Sequence, residues 1–376
     1  MSVGGALVEA ARRVAPIVEE QADVAERDRR LPTETVAALV EADLMRMCVP
    51  RAYGGPEATP MELVEAIATV ARADGAAGWC TMIAATTSSM SLFLPPEWAQ
   101  VVYGDPTVVT GGAYAPSGEA VRKGDQWSVT GRWAWGSGTQ HCRWITGGTR
   151  TADGGFHLMF LDAADVSFHD TWHTVGMRGT GSLDFSVEGA PVPVGRSVMP
   201  GVSRPTIDVA LAAFPNFTLL ASGVAAVSLG IARRALEEFG ELAGDKRPVF
   251  SARTLAQSGV VQAEVARAEA GLEAARALLL DQLSQAWAAV GAGDPVSVDR
   301  RARIRLAAVH AAEQSAKATE TVYTWAGGSS VYETQGVIAR CWRNAHVATQ
   351  HLMVSPRMYE TLGRALLGLD IDTVTL

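Results

Sequence analysis

The chain has 376 residues, 48% of them hydrophobic and 19% charged, and its formal net charge is −8. The apolar fraction excludes an intrinsically disordered protein, and no basic block is dense enough to follow a phosphate backbone, so no nucleic-acid partner is expected. Four widely spaced cysteines, charges throughout Met1 to Arg30 and the lack of a membrane-spanning apolar run predict a cytoplasmic protein with no membrane partner.

Helical periodicity dominates the first part of the chain. Apolar residues such as Ala11, Val14 and Val18 recur at spacings of three and four, which places them on one helix face. Pro95-Pro96 ends the last helix predicted in this part. We therefore expect an N-terminal helical domain over residues 1–103.

The apolar period then falls from about four to two. Alternation between glycine and aspartate turns predicts strands near 107–110, 126–130, 143–146 and 156–160. Five of the ten tryptophans lie in this part: Trp127, Trp133, Trp135, Trp144 and Trp172. Strand propensity explains that enrichment, although the indoles could also wall a large flat ligand. The pattern predicts a central β domain over residues 104–203.

Long, alanine-rich helical repeats return after residue 203. They predict helices over 221–242, 262–287, 298–325 and 339–367. Helices of this length with apolar residues on more than one face pack into a bundle or against a neighbouring subunit. We expect a C-terminal helical bundle over residues 204–376, and hence an α+β fold that is mostly α.

Common nucleotide-binding and hydrolase motifs are absent. The sequence has no G-x-G-x-x-G after a strand, no Walker loop, no H-E-x-x-H and no G-x-S-x-G. His346 and His351 are five residues apart, so on a continuous helix they would point about 140° away from each other. Such a pair does not hold a metal ion jointly, and no metal site is predicted.

Three glycine- and hydroxyl-rich turns remain as candidates for ligand binding: 114–118, 133–141 and 172–182. Glycine permits close approach of the backbone, serine and threonine supply hydrogen bonds, and tryptophan offers a flat apolar wall. This combination suits a planar heteroaromatic cofactor, and we assign Tyr114, Arg178 and Thr180 to its binding. The alternative is plain β-turns, with Arg178 pairing with an acid such as Asp184.

Several of these segments together resemble the acyl-CoA dehydrogenase superfamily. The resemblance rests on Tyr53-Gly54-Gly55-Pro56, the 131–144 segment, Gly176 to Ser182, Gly327-Gly328 and Arg343-Asn344-Ala345. It spans roughly residues 20 to 365. It implies an N-terminal helical domain, a central β domain and a C-terminal four-helix bundle that enclose a flavin, in a homotetramer built through the bundle.

The resemblance leaves two branches open. Acyl-CoA dehydrogenases remove the substrate α-proton with a glutamate, commonly about nine residues after the Arg-Asp-Ala motif that Arg343 to Ala345 resembles. Here that position lies near Gln350-His351, and no carboxylate occurs between Arg343 and Glu360. A base is needed because proton and hydride leave as a pair. Some members keep the glutamate on another helix, so acyl-CoA dehydrogenation remains the alternative function.

The run Trp135-Gly136-Ser137-Gly138, followed by His141, is similar to flavin-dependent monooxygenases of two-component systems. In them a separate reductase delivers reduced flavin, FAD or FMN, which captures O2 as a C4a-hydroperoxide. By this resemblance Trp135, Gly136 and Ser137 bind the flavin, with Ser137 near N5 or O4. His351 would be the base that deprotonates a phenol-like small-molecule substrate, with a pKa near neutrality.

Two further parts of the chain acquire a role only through the resemblance. Arg253 matches a position whose arginine reaches the flavin phosphate across a subunit interface. Gly327 and Gly328 would approach the same cofactor. Arginine suits phosphate better than lysine does.

The substrate side departs from the phenol hydroxylases. They place another histidine about eight residues past the tryptophan that Trp79 resembles, where this chain has Thr87 and Ser88. These hydroxyls, with His141, would line the substrate side instead. The departure extends the expected substrates from small aromatic compounds to amines.

Each assignment has a simpler structural alternative. His351 could cap a helix or face solvent, His141 could anchor a turn, and Ser137 could be an ordinary turn residue. Trp135 could belong to the β-domain core. Arg253 begins a predicted long helix and could be its solvated end. A helical scaffold that has lost its cofactor is the third possible function.

Overall fold

The computed structural model describes residues 5–331, 336–373 and 376. Its N-terminal part contains the helices α1 (Ala6–Glu20), α2 (Ala22–Asp28), α3 (Thr33–Glu41), α4 (Pro60–Ala73), α5 (Gly75–Ser88) and α6 (Pro96–Tyr103). Thr59 and Glu62 form a capping box at the start of α4, and the Asp74 carboxylate accepts a hydrogen bond from the backbone of α5. These caps fix the sharp turn between α4 and α5.

Helix α5 lies at the centre of the molecule. Nearly all of its residues are buried, because it packs against α4, against the sheet and against the bundle. Gly78 allows this approach: a Cβ there would lie 2.4 Å from the Cβ of Ala71 on α4. The helix therefore presents side chains to both of the domains that follow it.

The central part is a seven-stranded sheet with the order β5-β6-β2-β1-β3-β4-β7. Its strands are β1 (Thr110–Lys123), β2 (Gln126–Gly136), β3 (Trp144–Thr151), β4 (Phe156–Asp162), β5 (Ser167–His169), β6 (Leu183–Pro193) and β7 (Ser197–Val198). β1 and β3 pair in parallel, and the other neighbouring strands are antiparallel. The β1–β2 hairpin and the antiparallel β2–β6 pair bring the end of β2 next to the start of β6.

Packing accounts for most of the tryptophans in the sheet region. Trp133 is fully buried, stacks on Phe185 and donates its indole N–H to a backbone carbonyl. Trp144 is buried between two guanidinium groups, and Trp127 and Trp172 are half-buried. Trp135 alone among these five is exposed, so the indoles do not form a common wall for a ligand.

The C-terminal part contains α7 (Asn216–Asp245), α8 (Gly259–Gly291), α9 (Val298–Ala326), α10 (Val337–Ala348) and α11 (Met358–Leu366). α7 and α9 form the largest helix–helix contact of the bundle. By length and composition α7 could span a membrane, but 89% of its most apolar window is buried inside the protein. It is therefore the core helix of the bundle.

The single helix expected over residues 339–367 is wrong. α10 ends at Ala348, a short 3-10 turn covers Leu352–Val354, and α11 begins only at Met358. Pro356 has no backbone N–H to continue an α-helical hydrogen-bond pattern, which accounts for the separation of α11 from the 3-10 turn, whereas α10 has already ended eight residues earlier. His351 consequently lies at the N-cap of the 3-10 turn, beyond the end of α10.

Candidate active site

The turn that follows β2 carries the first candidate group. Gly138 has a φ of 67°, which turns the chain sharply after Ser137. The side chain of Ser137 is buried, and its oxygen accepts a hydrogen bond of 3.1 Å from the indole Nε1 of Trp79 on α5. Ser137 is therefore fixed by two different domains and is more than an ordinary turn residue.

Ser137 also begins a row of buried hydroxyl groups. Its Oγ lies 2.7 Å from that of Ser182, which lies 2.6 Å from Oγ1 of Thr180. Thr180 in turn donates to the carbonyl of Met177 at 2.8 Å. The backbone N–H of Met177 donates to Oδ1 of Asn344 at 2.6 Å, which ties this loop to α10.

His351 lies against the same tryptophan. The centroid of its imidazole is 5.5 Å from that of Trp79, with the ring planes at 74°. Nδ1 of His351 accepts a hydrogen bond from the backbone N–H of Met353 at 3.3 Å. Because Nδ1 accepts, the hydrogen of the neutral imidazole lies on Nε2, which can donate it to a ligand. Trp79 therefore contacts both candidate groups, although the sequence analysis used it only as a landmark.

The pKa of His351 differs from the expected value near neutrality. Burial, with a smaller contribution from the positive charge of Arg305, lowers this pKa to about 4. The imidazole is therefore neutral at pH 7. A bound anion beside the ring would raise its pKa again, since an opposite charge favours the protonated form.

Arg305 is a charged group in the bundle interior that the sequence analysis missed. It belongs to α9, is 1% exposed and donates to the carbonyl of Phe217 on α7 at 3.3 Å. Burial lowers its pKa to about 10. An arginine within an alanine-rich helix gives no sequence signal for such burial.

Trp135 has a different environment from the other indoles. It is 73% exposed, which rules out the core position considered as an alternative, and its φ is 64°. A bulky residue in the left-handed region is strained. Gly136, between Trp135 and Ser137, packs so closely that a Cβ would lie 2.7 Å from the Phe185 ring. An exposed indole beside a hydroxyl row and a glycine turn is an arrangement on which a flat ring system can stack.

His141 lies close to Ser137. It ends the 3-10 turn Thr139–His141, and its backbone N–H donates to the Gly138 carbonyl. Burial, with a smaller effect of Arg30, lowers its pKa to about 4. It lines a small cavity of about 10 Å³ together with Ser137, Cys80 and Cys142 among others. This cavity is far too small for a flavin.

The two hydroxyl residues expected to face the substrate are buried in α5. The hydroxyl of Ser88 donates to the Ala85 carbonyl and accepts from the backbone N–H of Cys48. The carbonyl of Thr87 accepts from Tyr103. Neither residue lines the small cavity beside Ser137.

Tyr114 connects the sheet to the bundle. Its hydroxyl donates to Oδ1 of Asn216 at 3.1 Å, and Nδ2 of Asn216 donates to Ser89 at 2.7 Å. Its ring centroid lies 5.7 Å from that of Phe217, and burial raises the pKa of its hydroxyl. These contacts give Tyr114 a structural position at the start of α7.

Arg178 begins the 3-10 turn that contains Thr180. Asp184, the acid offered as an alternative partner of Arg178, forms an ion pair with Arg132 at 2.9 Å. The side chain of Arg178 is half-buried.

Arg253, Gly327 and Gly328 lie at the far end of the bundle. Arg253 is exposed in the loop between α7 and α8, so its expected position at a helix start is wrong, since α8 begins at Gly259. Lys246 in the same loop donates to the Ala326 carbonyl, next to the two glycines. Gly75 of α5 faces Ile231 of α7, and Met82 faces Gly223, so Trp79 lies level with the stretch of α7 between Gly223 and Ile231. From there to the end of α7 at Asp245 the distance is about 25 Å, at about 1.5 Å per residue. One chain therefore does not bring Arg253 to Ser137.

A groove of about 570 Å³ lies elsewhere on the bundle. It is lined by residues of α9, by His346 and Thr349, and by Val354 and Pro356. Ser137 and Trp135 are not among its lining residues. This groove is therefore separate from the candidate groups around Trp79.

Two family models match the chain. The model described as "Acyl-CoA dehydrogenase, N-terminal domain" matches residues 6–94, and "Acyl-CoA dehydrogenase, C-terminal domain" matches residues 222–356. Together they cover more than half of the chain.

Comparison with individual proteins shows which members of the superfamily this chain is similar to. The chain is 31% identical over 349 residues to "Indole-3-acetate monooxygenase" of Pseudomonas putida, covering 91% of this chain and 89% of that one. It is 28% identical over 376 residues to "Flavin-dependent monooxygenase, oxygenase subunit HsaA" of Rhodococcus jostii, covering 96% and 98%. The solved structure of "XiaF from Streptomyces sp. in complex with FADH2 and Glycerol" matches with a TM-score of 0.91 and 26% identity, covering 97% and 95%. The two curated relatives are both named as monooxygenases.

Proposed function

This chain belongs to the acyl-CoA dehydrogenase superfamily and is a flavin-dependent monooxygenase within it, and from that premise we propose that it is the oxygenase component of a two-component system. A separate reductase would then supply the reduced flavin. The relative named as an oxygenase subunit, similar over nearly its full length, supports this proposal.

The contact of Trp79 with both Ser137 and His351 is the observation that carries the proposed site. A hydroxyl that can bind a cofactor edge and an imidazole that can exchange a proton are held by one indole. Reduced flavin, when bound, supplies the two electrons that activate O2. The residues of the chain then have to orient the ring, keep water away and move a proton.

The proposal assigns roles to the candidate residues around Trp79. Ser137 binds the polar edge of the flavin, and Trp135, beside Gly136, stacks on its plane. Thr180 acts through Ser182, and Arg178 lies in the same turn. His351 is the general base of the proposal; to accept the proton of a substrate hydroxyl or N–H group, its Nδ1 has to release the backbone N–H of Met353.

The remaining binding groups come from another copy of the chain in this proposal. Because Arg253, Gly327 and Gly328 lie about 25 Å from the level of Trp79 along α7, they complete the site of a neighbouring subunit. A homotetramer built through the bundle provides such neighbours. We retain 1–103, 104–203 and 204–376 as the domain limits of each subunit.

The relatives support a choice of cofactor and of substrate class for the proposal. The complex of XiaF with FADH2 favours FAD over FMN for this chain. The relative that acts on indole-3-acetate favours a small aromatic substrate over an aliphatic amine. His141, at the small cavity beside Ser137, is the group we place nearest to that substrate. Four buried cysteines without disulfides suit a cytoplasmic location.

The proposal is tested with purified protein, an NADH-dependent flavin reductase, FAD and a panel of phenols and indoles. Substrate-dependent O2 uptake that requires the reductase, with a hydroxylated product, is the expected result. Bleaching of bound oxidised FAD by an acyl-CoA without O2 would show a dehydrogenase instead. A protein that binds neither oxidised nor reduced flavin would support the scaffold alternative.

A further inference from the structure

The row of hydroxyl groups formed by Ser137, Ser182 and Thr180 has three hydroxyl hydrogens and three hydrogen bonds in which to place them. Ser137 and Ser182 form one link, Ser182 and Thr180 a second, and Thr180 and the Met177 carbonyl a third. Each hydroxyl group has one hydrogen to donate and can accept up to two. All three residues are buried, with at most 7% of each residue exposed, so within the described chain these hydrogens are used in the row itself.

Only one arrangement satisfies all three links. A carbonyl can only accept, so the hydrogen of Thr180 points to Met177. Ser182 then has to donate to Thr180, and Ser137 has to donate to Ser182. The indole N–H of Trp79 occupies one lone pair of the Ser137 oxygen. Ser137 therefore presents a lone pair, and no hydrogen, to a ligand.

We propose that Thr180, Ser182 and the Met177 carbonyl are positioning groups that make Ser137 a hydrogen-bond acceptor, so that the site selects reduced over oxidised flavin. This inference rests on the proposed function. Reduced isoalloxazine carries a hydrogen on N5, whereas the oxidised ring has a lone pair there. A Ser137 oxygen that can only accept forms a hydrogen bond with N5–H of the reduced ring, whereas in the oxidised ring it faces the lone pair of N5.

The row can reverse at a limited cost. For Ser137 to donate to oxidised flavin, the hydrogen bonds of the row have to reverse. Ser182 then donates to Ser137 and Thr180 donates to Ser182, so the hydrogen bond from Thr180 to the Met177 carbonyl is lost. The Met177 carbonyl still accepts from Nε1 of Trp172 at 3.0 Å and from the Thr180 backbone at 3.1 Å. Reversal therefore loses about one hydrogen bond, which changes a binding ratio by about two- to tenfold. Oxidised flavin is disfavoured but can still bind and leave.

Anaerobic titration of the full-length protein with FADH2, and aerobic titration with FAD, give the ratio of the two Kd values. Thr180→Val removes the hydroxyl that fixes the direction, so Ser182 donates to Ser137 and Ser137 donates outward. The preference for reduced flavin should fall by about two- to tenfold, the value of that one hydrogen bond. Thr180→Ser keeps the hydroxyl and should keep the wild-type ratio.

An unchanged ratio in Thr180→Val would overturn the inference, provided that thermal unfolding shows a folded protein. If that variant does not fold, Ser182→Ala replaces it. Removing the middle hydroxyl frees the hydrogen of Ser137, so the ratio should fall in the same direction, and an unchanged ratio again overturns the inference. A wild-type protein that binds neither form of FAD would instead refute the proposed function, and the inference with it.

Discussion

The imidazole of His351 meets the indole of Trp79 edge-on, at 5.5 Å between ring centroids. The same indole donates its N–H to Ser137, so one α5 side chain holds two groups that are 214 positions apart in sequence. A rigid connection of this kind is what a site needs if a cofactor edge and a proton acceptor are to keep a fixed separation.

His351→Ala should reduce product formation by about a hundredfold or more, because a general base typically contributes a factor of that order. Binding of reduced FAD should change little, since Ser137 and Trp135 remain. His346→Ala is the matched control, because Nδ1 of His346 contacts the Trp342 carbonyl and the ring lines the outer groove. Equal product yields from the two variants would remove His351 from the mechanism.

Acid should destabilise the protein through His141 and His351. Both have a pKa lowered to about 4 in the folded chain, against 6.5 without the fold. The unfolded state therefore binds more protons between these values, and stability falls as pH drops from about 6.5 to about 4. Each histidine contributes as much as about 2 kcal/mol after allowance for its partial exposure. Urea unfolding at several pH values measures the free energy of unfolding as a function of pH. The double variant His141→Gln/His351→Gln should show a weaker dependence of this free energy on pH. A pH dependence equal to that of the wild type would contradict the lowered pKa values of the two histidines.

Trp135→Gly separates stability from cofactor binding. Glycine relieves the left-handed backbone at φ 64°, so the free energy of unfolding of the flavin-free protein should rise by about 1 kcal/mol. Loss of ring stacking should weaken FADH2 binding by about tenfold. Trp135→Phe keeps the ring and should behave like the wild type. If Trp135→Gly binds FADH2 with wild-type affinity, the indole does not contact the flavin.

Mixed oligomers test whether Arg253 acts on a neighbouring subunit. Ser137→Ala and Arg253→Ala should each be poorly active alone. Co-expression of the two should restore activity at about a quarter of the sites, where Ser137 and Arg253 are both intact on facing subunits. Mixed oligomers that stay as inactive as either parent would show that both residues act within one chain.

The architecture was readable from periodicity, whereas the connections within the site were not. The switch from a period of four to two located the strands, and the three long helices before the last one lie where predicted. The separation of α11 from the turn before it had a sequence signal in Pro356, which the continuous apolar pattern outweighed. The bond from Trp79 to Ser137 joins residues 58 positions apart and depends on α5 packing against the end of β2. Residue spacing gives no information about such a contact.

Ser182 illustrates the same limit at shorter range. It belongs to the glycine-rich turn that the sequence singled out, but only its 2.7 Å contact with Ser137 shows that it orients a hydroxyl. Arg253 illustrates the opposite case. Resemblance gave it a cofactor role across a subunit interface, and its distance from Trp79 along α7 agrees with that prediction without testing it.

The share of consumed O2 that is recovered as hydroxylated product tests the central claim most directly, measured with reductase, FAD and substrate in wild-type protein, Ser137→Ala and Ser228→Ala. Ser228 is a buried serine of α7 that bonds only to its own helix in the described chain. Product should account for most of the O2 in the wild type and in Ser228→Ala, whereas Ser137→Ala should release most of it as hydrogen peroxide. Equal product shares in all three proteins would contradict the placement of the flavin at Ser137.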